Sequence, residues 1–285
     1  MKQLRGKVAL VTGAASGIGR SLALALAQHG MHLSLWDVRT DDLESLEEEL
    51  IRYSVGVQAL YCHLAQPAQT SRSAQSTLSH WQQVDLLVNN AGVVYYGPTE
   101  RMTPEQWDWL LQINLRAPIQ LTRELLPHFL QQGEAHVLNV SSIAGLVGSP
   151  RLTAYHTSKF GLVGFTEAMR AEYRSRGIGF TALCPGLVET NLFEAALNGR
   201  SRKQLKKPPR WLTVSSDYVA RQAIRAIRAN RGIVPVSPSA HFLWWLHRMS
   251  PSLLHWFHGW RRKKNKDKSP TRDSGQSEKN PKHAA

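Results

Sequence analysis

Residues 8–19, Val8-Ala9-Leu10-Val11-Thr12-Gly13-Ala14-Ala15-Ser16-Gly17-Ile18-Gly19, join an apolar strand-like run to the start of a helical pattern. Glycines at such a junction let the backbone turn tightly and approach a diphosphate, whose charge then meets the free amides and the positive dipole of the helix start. A lone glycine cluster more often marks only a tight turn, but here an acid, Asp37, follows Gly19 by eighteen residues. The pattern therefore indicates a dinucleotide site, which we expect to be lined by Gly13, Ser16, Gly17, Ile18 and Gly19.

Strand-like and helical patterns alternate along the chain on either side of this junction. Strands are predicted at Val8–Thr12, His32–Trp36, Val57–Cys62, Val84–Asn89, Ala135–Val140, Gly179–Leu183 and Ile233–Val236. Helices are predicted at Ile18–His29, Leu43–Tyr53, Pro104–Leu130, Ala154–Arg176 and Asp217–Ala229. Such alternation predicts parallel strands joined by right-handed crossovers. We expect an α/β fold, a doubly wound Rossmann sheet of about seven strands covered by helices on both faces, in a single three-layer domain over residues 1–238.

Three segments depart from this pattern. Residues 191–214 are basic and contain proline, and they follow a strand at the place where a flap over a ligand crevice would lie. Residues 239–260 are rich in Trp, Leu and His and are predicted to form two short amphipathic helices divided at Ser250-Pro251. Residues 261–285 are basic and almost free of apolar side chains, which predicts a disordered tail.

The net charge of +14 is concentrated in two segments. Residues 200–210 contain six basic and no acidic residues, and residues 261–285 contain nine basic and three acidic residues, which leaves +2 for the rest. A nearly neutral body with two basic attachments favours contact with an anionic surface, or solubility alone, over a groove built for nucleic acid.

Cysteine usage and the amino terminus point to a reducing compartment. Cys62 and Cys184 lie in apolar runs without the spacing of metal ligands, so we expect buried thiols and no metal site. The first strand-like run starts at Lys7, which leaves no room for a signal peptide. We expect a cytoplasmic protein.

Asp37 also bears on the choice between two cofactors. A carboxylate at the end of the second strand can accept hydrogen bonds from the ribose hydroxyls of an adenosine and would repel a 2′-phosphate, which favours NAD over NADP. Arg39, two residues on, could instead bind that phosphate, so NADP remains the alternative. Asp37 could also be a plain turn residue. Asn90-Ala91-Gly92 follows the fourth strand, where the crevice is expected.

Tyr155 and Lys159 share a helix face because they are four residues apart, and they follow Ser142 by thirteen or more residues. A phenol that acts as a base must first lose its proton, yet a phenol with a pKa near 10 is ionised in only about a thousandth of molecules at pH 7. Bringing that pKa to neutrality requires roughly 4 kcal/mol of differential stabilisation. The ammonium of Lys159 and an oxidised nicotinamide could together supply it.

The chain resembles the short-chain dehydrogenase/reductase family. The matching motifs are Thr12-Gly13-x-x-x-Gly17-x-Gly19, Asn89-Asn90-Ala91-Gly92, Ile113-Asn114-Leu115, Asn139-Val140-Ser141-Ser142, Tyr155-His156-Thr157-Ser158-Lys159 and Pro185-Gly186-Leu187-Val188-Glu189-Thr190. They lie in the family's order within residues 5–236. More loosely, Trp36-Asp37, Asn89–Tyr95 and Ser158-Lys159-Phe160 resemble the branch that oxidises retinol and hydroxysteroids.

The resemblance implies roles that spacing alone does not. Tyr155 would be the acid/base, Ser142 would hydrogen-bond the substrate oxygen, and Lys159 would also hold the nicotinamide ribose. Asn114 would carry a water linking the lysine to solvent. Pro185, Gly186, Val188 and Thr190 would hold the nicotinamide. The alternatives are strand-end capping for Ser142, a satisfied polar residue for Asn114 and a helix N-cap for Thr190.

One position departs from the family. Cys62-His63-Leu64 stands where the family commonly has an Asp beside the adenine, and a neutral imidazole cannot replace an anionic acceptor. We expect weaker binding of the adenine end and unaffected catalysis.

The expected function is NAD(P)-dependent interconversion of an apolar secondary alcohol and its carbonyl, in a homodimer or homotetramer. The alternative is a non-catalytic module that senses dinucleotides or binds partners. The aromatic residues of 239–260 and the cations Arg261-Arg262-Lys263-Lys264 would suit peripheral contact with the inner face of a membrane, or the helices would pack on the body or on a second subunit.

Overall fold

The computed structural model describes residues 1–189, 197–198 and 213–250. Seven strands form the central sheet: β1 (Val8–Thr12), β2 (His32–Asp37), β3 (Val57–Tyr61), β4 (Leu86–Asn89), β5 (Ala135–Val140), β6 (Ile178–Cys184) and β7 (Ile233–Pro235). Their order is β7-β6-β5-β4-β1-β2-β3, and neighbouring strands are parallel. The strand order reverses between β1 and β4, so a crevice is expected outside their carboxyl ends. The predicted doubly wound sheet is confirmed.

Helices cover both faces of the sheet. They are α1 (Gly17–Gln28), α2 (Thr40–Leu50), α3 (Pro67–Trp81), α4 (Pro104–Leu111), α5 (Ala117–Gln132), α6 (Thr153–Tyr173), α7 (Ser216–Arg228) and α8 (Pro238–Met249). Val11 and Leu35 pack in a core with α1, α2 and α7, whereas Leu10 and Trp36 pack in another with α3, α5 and α6. Adjacent strand residues point to opposite faces, so the sheet is the middle of three layers.

Helix α3 was not predicted, because its buried face is made of small polar side chains. Thr70, Ser73 and Thr77 face inward beside Ala74. The Thr77 hydroxyl lies 2.9 Å from Ser34 Oγ and accepts from the Trp36 indole N–H at 3.2 Å. A helix that buries hydroxyl groups has no apolar periodicity to detect.

The single helix predicted over Pro104–Leu130 is instead two helices joined by a π-helical turn, Gln112–Arg116. Pro118 has no N–H, so the carbonyl of Asn114 lacks the donor that an α-helix would supply four residues on. The N–H of Ala117 bonds the carbonyl of Gln112, five residues back. The wider turn therefore follows from a proline that the helical pattern concealed.

The predicted flap is described only at residues 197–198 and 213–214. Thr213–Val214 pairs in parallel with Leu187–Val188, and Leu197–Asn198 pairs in parallel with Tyr95–Tyr96. The rest of residues 191–214 lies outside the described residues.

The chain divides into two units, Met1–Trp245 and Leu246–Ala285. Helix α8 ends at Met249, and the second predicted helix and the basic tail lie outside the described residues. Among the helices that can be described, none has the length and apolarity needed to cross a bilayer. The predicted segment limits at 238 and 260 remain predictions.

Candidate active site

The glycine loop between β1 and α1 is shaped by two close backbone contacts. Gly13 has φ +64°, and a Cβ there would lie 2.8 Å from the Cα of Ala91. A Cβ at Gly19 would lie 2.0 Å from the carbonyl oxygen of Gly13 and 2.5 Å from Nδ2 of Asn90. Neither position can hold a side chain, so the loop presses against the segment that follows β4.

Hydrogen bonds tie that segment to the loop. The Asn90 side-chain amide donates to the carbonyls of Thr12 and Gly13 at 3.0 and 2.9 Å. The Thr12 hydroxyl accepts from the N–H groups of Asn90 and Ala91 at 3.1 and 3.2 Å. Thr12 was not predicted as a site residue, although its place at the end of β1, directly before Gly13, was a usable signal. Ser16 is exposed, and its side chain makes no capping bond to α1.

Asp37 is held against the loop by three main-chain donors. Its Oδ2 accepts from Ala15 N–H at 2.9 Å, and its Oδ1 accepts from the N–H groups of Val38 and Arg39 at 2.8 and 3.1 Å. About one of the four lone-pair sites of the carboxylate is left for a ligand. The carboxylate is thus fixed at the carboxyl end of β2, where an adenosine ribose is expected.

Arg39 lies between two acids. Its guanidinium is 3.1 Å from a carboxylate oxygen of Asp42, and its Nε is 4.0 Å from Asp37 Oδ1. The arginine that could have bound a 2′-phosphate is therefore already paired.

His63 stabilises its own turn. Its Nδ1 accepts from the N–H of Ala65 at 3.2 Å, and its main-chain N–H donates to the Gln69 side chain at 3.0 Å.

Tyr155 and Lys159 are both buried on α6, with 6% and 4% of their surface exposed. The Lys159 ammonium donates to the carbonyl of Val140 at 2.9 Å and lies 5.6 Å from the centre of the tyrosine ring. Burial raises the pKa of Tyr155 to about 12, and a hydrogen bond with Ser142 acts against that rise. Burial also lowers the pKa of Lys159 to about 8. The expected lowering of the phenol's pKa is thus not present in the protein by itself, because desolvation outweighs the hydrogen bond.

The two serines at the end of β5 face different partners. The Ser142 hydroxyl accepts from Ala144 N–H at 3.1 Å, while Ser141 Oγ donates to the carbonyl of Lys159 at 3.0 Å. A Cβ at Gly145 would lie 2.6 Å from that same carbonyl. The chain after β5 therefore lies directly on the backbone of α6.

Asn114 reaches the site from the π-helical turn. Its Oδ1 accepts from Val93 N–H, and its Nδ2 donates to the carbonyl of Val93, both at 2.8 Å. The same amide nitrogen is 3.2 Å from Ser158 Oγ, which donates to the carbonyl of Tyr155. A Cβ on Gly92 would lie 3.5 Å from Asn114 Oδ1 and 3.6 Å from Lys159 Nζ, so these three residues converge. Ser158 had no signal in the sequence beyond its place inside the Tyr/Lys motif.

The segment after β6 borders the same crevice. The carbonyl of Pro185 accepts from Ile143 N–H at 2.8 Å, which joins the ends of β5 and β6. A Cβ on Gly186 would lie 2.6 Å from the Ser237 hydroxyl, just before α8. Val188 is in the short ladder with Val214, and Thr190 lies outside the described residues.

Comparisons with known proteins identify the family. The family model for short chain dehydrogenases matches residues 7–200. A 3-oxoacyl-(acyl-carrier-protein) reductase of Thermotoga maritima is 33% identical over 192 residues, 67% of this chain and 78% of the relative. A D-beta-hydroxybutyrate dehydrogenase of Cupriavidus necator is 34% identical over 203 residues, 70% of this chain and 78% of the relative.

Solved structures agree as well. A short chain dehydrogenase/reductase from Burkholderia phymatum, in complex with NAD, has a TM-score of 0.79 and 28% identity, and the match covers 89% of this chain and 97% of that one. A 3-ketoacyl-(acyl-carrier-protein) reductase from Brucella melitensis, complexed with NADH, has a TM-score of 0.73 and 29% identity, covering 82% and 97%. With the family model matched over residues 7–200 and the fold shared with these structures, the chain belongs to the short-chain dehydrogenase family.

Proposed function

We propose that the protein is an NAD-linked oxidoreductase that interconverts an apolar secondary alcohol and its carbonyl compound, with NADP as the alternative cofactor. The observation that carries the proposal is the convergence of Tyr155, Lys159 and Ser142 beside the glycine loop. A module that only sensed dinucleotides would have no need of a buried phenol beside a buried ammonium.

The loop residues fit a nicotinamide dinucleotide. The bare backbone at Gly13 and Gly19 and the free hydroxyl of Ser16 suit the diphosphate, with Gly17 and Ile18 opening the helix beneath it. Asp37 suits the adenosine ribose. The residues expected along the rest of the cofactor are Asn90, Ala91, Gly92, Pro185, Gly186, Val188 and Thr190. When bound, the dinucleotide supplies the carbon that gives or accepts the hydride.

Residues of the protein donate and accept the proton that accompanies hydride transfer. For carbonyl reduction, Tyr155 donates its phenolic proton to the substrate oxygen while Ser142 hydrogen-bonds that oxygen. A phenol pKa of about 12 keeps that proton in place at neutral pH. For alcohol oxidation, the phenol must first lose the proton, and the positive charge of Lys159 favours that loss. With a pKa of about 8, Lys159 is still mostly charged at pH 7.

The main-chain carbonyl of Asn114 is assigned to a proton path between Lys159 and solvent. Its side chain is bonded to Val93 and Ser158, and its carbonyl lacks the α-helical donor that Pro118 cannot provide. The carbonyl is therefore available to hold a water near Lys159, which would connect the lysine to solvent.

The substrate class is inferred from the surroundings of the phenol. Tyr155 is packed with Val94 and Ala144, and Leu152 lies against the same cluster. The described side chains that pack against the phenol are therefore apolar, which favours apolar substrates.

A cofactor-reduction screen over sterol, retinoid, long-chain and small alcohols tests the proposal. With the substrate found, Tyr155→Phe is expected to abolish turnover while NADH fluorescence titration gives an unchanged affinity, because the phenol oxygen moves the proton. Lys159→Met is expected to impair both turnover and cofactor binding. Substantial turnover by the phenylalanine variant contradicts the mechanism.

Membrane contact is the second part of the proposal, and α8 supports it. Phe242 and Trp245 lie three residues apart on that helix and are 60% and 58% exposed. Aromatic side chains on one face of a helix suit the headgroup region of a bilayer, and Arg261-Arg262-Lys263-Lys264 would add attraction to anionic lipid. We propose peripheral attachment through this segment, in a cytoplasmic protein that assembles as a homodimer or homotetramer through α5 and α6.

A further inference from the structure

His156, the residue next to Tyr155, uses both ring nitrogens on one stretch of chain. It is 9% exposed, and its Nδ1 lies 2.7 Å from the carbonyl oxygen of Ala144. Its Nε2 lies 2.9 Å from the main-chain nitrogen of Ser149 and 2.8 Å from that residue's hydroxyl. The imidazole therefore connects α6 to both ends of residues 144–149.

The partners specify one form of the ring. A carbonyl oxygen can only accept, so Nδ1 must carry a proton; a main-chain N–H can only donate, so Nε2 must accept. The neutral imidazole protonated on Nδ1 satisfies both contacts, and the other neutral tautomer satisfies neither.

The stretch held by the ring also fixes the position of the Ser142 hydroxyl. The N–H of Ala144 donates to Ser142 Oγ at 3.1 Å, and the N–H of Ile143 donates to Pro185 at 2.8 Å. Ala144 also packs against the ring cluster of Tyr155. A shift of Ala144 would thus move the Ser142 hydroxyl relative to the phenol.

We infer that His156 is a positioning residue that clamps residues 144–149 onto α6 and so sets the separation of the Ser142 and Tyr155 hydroxyls. The effect of the clamp on the reaction rests on the proposed function, whereas the contacts that form the clamp do not. The ring has no described contact with the glycine loop or with Asp37, so the clamp acts on the substrate side alone.

Kinetics of variants test the clamp. His156→Ala is expected to lower kcat/KM by about tenfold to a hundredfold, as misplaced catalytic groups do, while the NADH affinity stays at the wild-type value. His156→Asn keeps a donor for Ala144 and is expected to recover part of the loss. Thr157→Ala is the matched control, because Thr157 is the exposed neighbour whose hydroxyl bonds only Thr153 within the described residues, and it should match the wild type. Unchanged kcat/KM in a folded alanine variant, or no recovery with asparagine, overturns the inference.

An NMR measurement keeps the inference testable if the alanine variant does not fold or if no substrate is found. In wild-type protein with 15N-labelled histidine, the His156 ring should show the proton on Nδ1 and an unprotonated Nε2 that accepts from Ser149. A proton on Nε2 instead overturns the clamp. Absence of turnover with every alcohol would count against the proposed function and leave the NMR result to decide the clamp.

Discussion

At the scale of single residues, we expect the choice between NAD and NADP to depend on a small arrangement at the end of β2. Three main-chain N–H groups hold the carboxylate of Asp37, and Arg39 is drawn towards Asp42. An arginine engaged by an acid is less available to a 2′-phosphate. The Arg39–Asp42 pair is half exposed, so it contributes at most about 1 kcal/mol.

We expect wild-type protein to bind NADH more tightly than NADPH in fluorescence titrations. Asp37→Ser should narrow or reverse this preference, because it removes the repelling carboxylate. Asp42→Asn should shift the ratio towards NADPH by up to about fivefold, because it frees Arg39. Asp41→Asn is the control, since Asp41 lies in the same first turn of α2 without an ion pair to Arg39. A wild-type preference for NADPH would show that the arginine outweighs the carboxylate.

At the scale of elements, α8 combines a packed face with an exposed one. Ala240 is buried near Gly186, and Trp244 packs against the cluster of Leu146 and Cys184. Phe242 on the same helix faces solvent. Truncation before α8 would therefore uncover core side chains, whereas surface substitutions separate lipid contact from folding.

We expect full-length protein to float with anionic liposomes at low salt and to be released by high salt. The double substitution Phe242→Ser and Trp245→Ser should weaken flotation with little change in Tm, because both rings are exposed. Trp244→Ser is the control for packing and should lower Tm instead. Absence of flotation in the wild type contradicts membrane attachment and leaves packing on a second subunit as the alternative for the exposed face of α8. Equal flotation of the double variant contradicts the contribution of Phe242 and Trp245.

At the scale of the whole molecule, a buried histidine lies at the end of the sheet opposite the candidate site. The carboxyl ends carry the candidate site, and the amino ends carry His136 at the start of β5. His136 is fully buried, its Nε2 lies 2.9 Å from Thr181 Oγ1, and its Nδ1 has no partner among the described residues. Burial, followed by repulsion from the amino terminus and Arg170, lowers its pKa to about 3.

This histidine predicts a loss of stability in acid. Between about pH 6.5 and pH 3 the unfolded chain binds a proton at this histidine that the folded protein does not. The free energy of unfolding is therefore unaffected by this group above pH 6.5. It decreases as the pH falls below 6.5, by up to about 1.4 kcal/mol per pH unit. His136→Gln should be less stable at pH 7 but should lose less between pH 6.5 and pH 4, as measured by urea unfolding. His80→Gln, at an exposed position on α3, should follow the wild type. Equal acid dependence in His136→Gln and wild type would contradict the buried-histidine account.

Local patterns in the sequence were sufficient to predict most strands and helices and many residues of the candidate site. The strands β1 and β5 match their predicted limits, because short runs rich in apolar and β-branched residues between turn residues are a local signal. Tyr155 and Lys159 share α6 because i,i+4 spacing fixes a common helix face. The patterns failed at α3, whose buried face consists of hydroxyl side chains, and at the π-helical turn, which follows from Pro118.

The tertiary structure alone decided which distant residues meet and how solvent acts on them. Asn114 bonds Val93 across twenty-one residues of sequence, and Asn114 and Lys159 both lie close to Gly92, which spacing does not reveal. The spacing suggested that Lys159 and an oxidised nicotinamide together lower the pKa of Tyr155, whereas burial in the fold acts in the opposite direction and raises that pKa to about 12. The physical reason is that spacing and periodicity are local properties of the chain, whereas burial is set by every element packed around a group.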